Sequence, residues 1–322
     1  MPPGTQVVQR WHFGMLNDHE RNEAFYSAIK TLVRPGDFVL DIGAGTGLLG
    51  MMAARAGAGK VVCCEKVEKL AAVAEDIVRA NGLAHVVKVV HKYSCELTVG
   101  PTRCYVAGAG MYDAPGRDMS GRAHVLVSEI VDCGLLGEGV IPTLVHARRE
   151  LLAPAARIIP CAARVFATAI ECFPQPAPLS RPMTAAFQGY DLSALDQFRA
   201  PTYEQMRLAE LDHRPLTTVC KVLDFDFYSP NLALPRGAWQ RWAVAASGTV
   251  HAVAFWFELD MDGKGSVLDT SPANTSTCWK QAVQFVDEPI AVAAGSSLPV
   301  WVSHDETRIS FSLSAPPPPD ED

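Results

Sequence analysis

Apolar positions along this chain follow two different rhythms, and the change of rhythm divides it. Up to about residue 150, short runs that are apolar throughout alternate with stretches of helical spacing, the pattern of a parallel sheet with helices packed on its faces. FVLDI (Phe38 to Ile42), VVCCE (Val61 to Glu65), VVKVVH (ending at His91) and HVLVS (His124 to Ser128) are the predicted strands. Ala24, Phe25, Ala28, Ile29 and Leu32 recur at helical spacing, with Asn17 or Asp18 placed to cap that helix. A small-residue helix is predicted through Ala56, and another from about Lys69 to Ala80 that stops at Asn81-Gly82. Residues 96–122 carry five Gly and two Pro without periodicity and are predicted as a long loop.

From about Leu152 the rhythm becomes that of short strands. RVFATAIE, VCKVLDFDF, VHAVAFWFELD, QAVQFV, LPVWVS and RISFSLS, punctuated by proline and turn residues, predict an antiparallel sandwich or barrel. Helix-leaning sequence over about 187–215 interrupts these strands, and the tail SAPPPPDED cannot form a core and is expected to be disordered. The expected division is 1–152, 153–315 and a tail over 316–322.

Composition narrows the class. With 322 residues, 48% apolar and 20% charged, the chain can bury a large core, which excludes a disordered or fibrous protein. Its apolar runs break well short of the ~18 residues of a membrane span, and MPPGTQVVQR has no apolar signal region. The expectation is a soluble, cytoplasmic protein that is also compatible with the nucleus and makes no use of a membrane. Nine cysteines without Cys-x-x-Cys spacing suggest neither a disulfide framework nor a zinc knuckle, and no metal site is expected. The formal charge of −7 argues against direct nucleic acid binding through phosphates and favours cationic partners.

Two segments carry candidate chemistry. In VLDIGAGTG (Val39 to Gly47) a strand ending at Asp41-Ile42 runs into Gly43, Gly45 and Gly47, which let the backbone turn sharply and approach a ligand. The third glycine of a dinucleotide fingerprint would fall on Leu48, while Glu65 closes the next strand where a carboxylate can accept both hydroxyls of a ribose. A nucleoside with one ribose and no pyrophosphate fits this better than NAD; the bland alternative is a tight turn with Glu65 solvated. In SEIVDCGLLGEG, Glu129 lies just past an apolar strand and Glu138 follows nine residues on. If the loop folds back, the two carboxylates converge and either push one pKa upward or hold a cation, for which a planar guanidinium is the natural guest. Solvated loop glutamates are the alternative.

With the glycine turn, the paired-glutamate loop and the later CWKQ in this order, the chain resembles a protein arginine methyltransferase. The resemblance implies a doubly wound Rossmann-like domain binding S-adenosylmethionine, then an antiparallel β-barrel domain with a helical dimerisation arm over about 187–215, and hence a homodimer. It further implies Arg21 pairing with the cofactor's carboxylate, His12 contacting the cofactor, Asp41, Gly43 and Gly45 under its methionine part, Glu65 on the ribose, and Ser94 and Cys95 near the adenine. Glu129 and Glu138 become the catalytic substrate clamp, with Met15, Cys278 and Trp279 walling the pocket. Implied substrates are arginine-rich segments of RNA-binding proteins and histones.

Three departures from the family pattern stand out. Thr277-Cys278-Trp279 replaces Thr-His-Trp, no Tyr-Phe-x-x-Tyr precedes Met15, and LLGEG is followed by Val140, where dimethylating relatives carry Ser-Met. The last resembles the type III branch, whose product is ω-monomethylarginine. The rivals are a methyltransferase acting on another substrate class and a non-enzymatic, cofactor-binding scaffold for RNA-binding proteins.

Overall fold

The protein is described from a computed structural model, over residues 11–100, 103–106, 110–113, 117–174 and 203–313. The first half contains α1 (Trp11–Leu16), α2 (His19–Leu32), β1 (Phe38–Ile42), α3 (Leu48–Arg55), β2 (Lys60–Glu65), α4 (Glu68–Ala80) and β3 (Val87–His91). A hairpin of β4 (Arg103–Val106) and β5 (Gly110–Asp113) follows, then β6 (Ala123–Ser128), α5 (Val140–His146) and β7 (Leu152–Ile159). One five-stranded parallel sheet runs in the order β3-β2-β1-β6-β7. All five residues of β1 are buried, as a central strand covered on both faces requires.

Local sequence explains how these elements begin and end. Asp18 caps α2 by accepting the Arg21 backbone N–H at 2.8 Å, and the helix stops at Val33 ahead of Pro35. Phe25, Ala28 and Ile29 form its buried face. Arg157 on β7 donates to the Leu32 carbonyl and to both oxygens of Asp37, tying the end of α2 to the start of β1. Helix α3 packs so closely on the sheet that a Cβ at Gly50 would sit 2.2 Å from the Cys63 sulfur.

The second half comprises β8 (Ala162–Cys172), β9 (Glu204–Met206), β10 (His213–Pro215), β11 (Cys220–Asp226), β12 (Arg236–Ala243), β13 (Gly248–Asp260), β14 (Val267–Asp269), β15 (Gln281–Val292), β16 (Ser297–His304) and β17 (Ile309–Ser312). A seven-stranded antiparallel sheet is built on β10-β8-β13-β15-β9, with β11 and β14 added at β8 and β13, and a second sheet runs β12-β16-β17. Their inner faces meet through Phe255 on β13 and Phe311 on β17, with ring centroids 5.1 Å apart. The parallel-sheet domain joined to antiparallel sheets is the architecture expected from the sequence.

Four features differ from the expectation. The segment taken as a loop over 96–122 contains the β4-β5 hairpin. The parallel sheet runs on through β7 to Ile159, since Leu152–Ile159 pairs with β6 despite Pro154. Strand β12 was missed because its residues are mostly exposed, so apolar alternation is absent. Most of the expected helical arm, 187–202, and the tail 316–322 lie outside the described residues; over 203–215 the chain forms β9, a 3-10 turn at Leu208–Glu210 and β10 rather than an arm helix. Among the described residues no helix is long and apolar enough to cross a membrane.

The close packing of α3 yields a stability test. Gly50→Ala is expected to destabilise the fold by about 1–3 kcal/mol in urea denaturation, through overpacking against Cys63 and Val61. Gly14→Ala on α1, where nothing lies within 4 Å of an added Cβ, is expected to cause no such loss.

Candidate functional site

Strand order reverses between β1 and β6, and a ligand crevice opens at the carboxyl ends of strands at such a point. Gly43 follows β1 and Glu129 follows β6, so the two motifs read from sequence meet there. Gly43, Gly45 and Gly47 adopt φ of +75°, +56° and +78°, which side chains other than glycine rarely tolerate. The turn also lies against the glutamate loop: a Cβ at Gly43 would be 2.4 Å from the Ile130 side chain.

Beneath the turn, Asp41 is fully buried. Its Oδ2 accepts the Gly50 N–H at 2.8 Å, whereas Oδ1 is buried with no partner. Burial, aided by the charge of Glu65, pushes the Asp41 carboxyl up to about 7. Glu65 itself accepts the Gly45 N–H at 2.9 Å through one oxygen and the Val67 N–H at 2.8 Å through the other. Each oxygen keeps a further lone pair.

Arg21 and Glu129, expected to serve different ligands, are joined directly. Arg21 donates from Nη2 to Glu129 Oε2 at 2.6 Å, with side chains only 3% and 8% exposed. Its Nη1 donates to Asn22 Oδ1 at 2.8 Å, and Nε–H is buried without a partner. An orphan donor on Arg21 and an orphan acceptor on Asp41 match the carboxylate and ammonium of an amino-acid group, and Glu65 matches a ribose. The residues present therefore fit the one-ribose nucleoside that the glycine turn and Glu65 suggested, carrying the amino-acid group that the resemblance implied.

The paired-glutamate loop folds back as required. Glu138 is exposed at its own surface, yet it lies within electrostatic reach of Glu129 and Asp132. Partial desolvation first, then the charges of Glu129 and Asp132, push its carboxyl up to about 7, with Lys66 opposing. Asp132 braces the loop, accepting the Gly137 N–H at 2.9 Å and the Tyr203 hydroxyl at 2.6 Å. Val140, which follows the LLGEG segment, is a core residue starting α5.

The Trp loop closes the cleft from the β domain. Trp279 is 7% exposed, donates its indole N–H to the Val131 carbonyl at 3.0 Å and packs against Phe257. It is thus the floor under the glutamate loop rather than an open wall. Asp18 Oδ2 accepts the Cys278 backbone N–H at 2.7 Å, while Glu20 accepts from Asn274 and Ser276, so α2 is fastened to this loop at two points. At Cys278 the tether runs through the backbone N–H rather than the side chain. Burial and the Asp18 carboxylate push the Cys278 thiol up to about 12, leaving it a neutral, half-buried group near Glu129.

Met15 and His12 lie half-buried on α1, which leads into this end of α2. Ser94 and Cys95 form a 3-10 turn after β3 with Cys95 exposed, and the neighbouring Glu96 turns back to accept the Tyr93 N–H at 3.0 Å. Asp18, Glu20, Asp132 and Tyr203 went unnoticed as site residues, because nothing local in the sequence marks their distant partners. Among the described residues, no group of three His, Cys, Asp or Glu side chains is arranged to hold a metal ion.

A parallel-sheet domain with this glycine turn, whose cleft is completed by a Trp loop from an antiparallel β domain, defines the methyltransferase class to which the site belongs. Residues 180–313 match the arginine methyltransferase oligomerization subdomain, and residues 14–102 match the ribosomal protein L11 methyltransferase family. An arginine N(omega)-methyltransferase of Streptomyces achromogenes subsp. streptozoticus is 37% identical over 306 residues, covering 95% of this chain and 79% of that protein. Protein arginine N-methyltransferase 7 of Danio rerio is 29% identical, covering 96% of this chain and 46% of its own length. Protein arginine N-methyltransferase 9 of Homo sapiens is 31% identical, with 88% and 35% covered. The chain thus spans less than half of these two longer relatives. In fold it is similar to the Trypanosoma brucei PRMT1 enzyme-prozyme complex with AdoHcy, at TM-score 0.69 and 23% identity over 90% of this chain and 86% of that one. The chain belongs to the arginine methyltransferase family.

The buried pair makes its own prediction. Arg21→Met strands Glu129 and is expected to cost about 3–5 kcal/mol in denaturant titration, whereas the double change Arg21→Met with Glu129→Leu is expected to recover most of that loss.

Proposed function

We propose that the chain transfers a methyl group from S-adenosylmethionine to an ω-nitrogen of arginine. The observation that carries the reading is Glu129 already holding a guanidinium, that of Arg21, at 2.6 Å in a cleft it shares with Glu138. Glu129 Oε1 and the Glu138 carboxylate remain to receive a second one. Asp41 and the Arg21 Nε–H would hold the amino-acid end of the methyl donor, and Glu65 its ribose. The donor supplies a sulfonium methyl group open to in-line attack.

Glu129 and Glu138 draw positive charge from the guanidinium, fix its plane and keep the attacking nitrogen's lone pair from being fully delocalised. The nitrogen must lose one proton as the N–C bond forms. Glu138, raised in pKa, is the better placed of the two carboxylates to accept it.

The wall around the acceptor is thin. Gly139 has no side chain, Cys278 is small, and Val140 and Trp279 are committed to the core. Among the described residues, none of these four grips a methylated guanidinium in line, and a misplacement of about 1 Å can cost roughly a hundredfold in rate. The proposed product is ω-monomethylarginine.

The proposed substrates are arginine-rich protein segments, and the match to an oligomerization subdomain supports a self-associating protein. A second reading has one observation behind it: the Streptomyces relative is named an arginine rather than a protein arginine methyltransferase, which favours the free amino acid.

Methyl transfer to a single-arginine peptide, its lysine copy and free L-arginine separates these readings. Transfer is expected to the arginine peptide and not to the lysine copy, with monomethylarginine as the end product by mass spectrometry. Glu129→Gln and Glu138→Gln are each expected to remove most turnover. Transfer to free arginine alone would establish the second reading, accumulation of dimethylarginine would exclude a monomethylating pocket, and transfer to none of the three would overturn the proposal.

Glu138 also sets a pH dependence. Burial first, then its neighbours Glu129 and Asp132, raise its pKa and Lys66 opposes them, so the ionised, guanidinium-binding form accumulates only as pH rises through about 7. A plot of kcat/KM against pH is expected to climb through an acid limb near that value. A limb confined to the ordinary carboxylate range would show that Glu138 need not ionise.

A further inference from the structure

The paired-glutamate loop is braced both by its own residues and from the β domain. Leu135 at its apex adopts φ +71°, the sole non-glycine residue with positive φ among the described ones. Such a conformation persists only where the surroundings over-determine it. The bracing comes from Asp132, whose Oδ1 accepts the Gly137 N–H at 2.9 Å and closes the loop on itself.

Asp132 is in turn held from the other domain. Tyr203, immediately before β9, donates its hydroxyl to Asp132 Oδ2 at 2.6 Å, the short distance of a charge-assisted bond. Burial and the Asp132 carboxylate keep that phenol protonated, so the donor is always present. The ring is 3% exposed and stands edge-on to Phe255 at 5.3 Å, fixed by the core of the β domain. The loop is moulded to it: a Cβ at Gly134 would lie 2.2 Å from Tyr203 Cζ, and one at Gly137 2.9 Å from its hydroxyl.

We propose that Tyr203 is a positioning residue for the substrate clamp, acting through Asp132 to set the Gly137-Glu138 peptide and hence the reach of the Glu138 carboxylate. The assignment rests on the reading of Glu138 as a clamp. Tyr203 hydrogen-bonds Asp132 rather than either glutamate. It makes clamp geometry depend on how the β domain docks, so the two domains share one active site mechanically as well as spatially.

The test uses the full chain with Tyr203→Phe, Asp132→Asn and the double variant. Tyr203→Phe keeps the ring against Phe255 and removes only the hydroxyl. It is expected to lower kcat by about tenfold to a hundredfold, with affinity for S-adenosylhomocysteine unchanged. Amide exchange at Gly137 is expected to quicken without a comparable fall in thermal midpoint. The double variant is expected to be no slower than the slower single variant, because the two side chains act as one unit. Asp132→Asn alone is expected to move the acid limb of kcat/KM to lower pH, since one of the two carboxylates facing Glu138 is then neutral while Glu129 and Lys66 remain.

Unchanged kcat and unchanged Gly137 exchange in Tyr203→Phe would overturn the proposal, as would additive losses in the double variant. If the wild-type chain methylates no arginine, the functional reading fails, and Gly137 exchange still decides for or against the Tyr203 strut.

Discussion

The buried ion pair between Arg21 and Glu129 is the interaction on which the rest of the site depends. Removing two charges from water is expensive, and their attraction repays it only with good geometry and few unmet hydrogen bonds. Here the bond is short, yet Arg21 Nε–H is left unmet. A pair serving stability alone would be better satisfied. A pair with a donor to spare, in a cleft beside an equally unmet Asp41 oxygen, suits a site whose last partners arrive with the ligand. It also joins helix α2 to the paired-glutamate loop through one guanidinium.

The same pair explains why α2 is fastened so firmly. Arg21 sits in the first turn of α2, and Asp18, which caps that turn, also holds the backbone of the Trp loop. Glu20 adds a second fastening to the same loop. A shift of α2 would move the guanidinium, the helix cap and the Trp loop together, so donor site and pocket floor respond as one body. The glycine turn joins this unit because Gly43 is pressed against Ile130, which leaves no room for a side chain.

Local chemistry made half of this legible in the sequence. The glycine turn, Glu65 at the end of β2 and Glu129 past β6 could be placed because strand ends, glycine spacing and sheet topology are written in short stretches. The connections between them could not. Arg21 and Glu129 are 108 residues apart, Asp18 and Cys278 are 260 apart, and Tyr203 and Asp132 are 71 apart. No periodicity links such positions, and each partner has a plausible local role that hides the distant one: Asp18 reads as a helix cap, and Tyr203 as part of a helix-leaning excursion. Strand β12 escaped for a different reason, since its exposed residues lack the alternation by which strands are read.

The two clamp carboxylates are placed in opposite electrostatic company, and this bears on selectivity. Glu129 faces a resident guanidinium, while Glu138 faces the carboxylates of Glu129 and Asp132 with only Lys66 against them. Glu138 is therefore the member that lacks a cation. A neutral guest would leave that repulsion in place, so these charges favour a cation over an amide or hydroxyl before shape is considered. A lysine ammonium would relieve the charge but presents a compact, strongly hydrated point. A guanidinium carries its donors in one plane and sheds water more readily, so it can meet both carboxylates at once. Burial first, then the neighbouring carboxylates, raise the pKa of Glu138, and the planar cation that best offsets those carboxylates is the group this family is named for methylating.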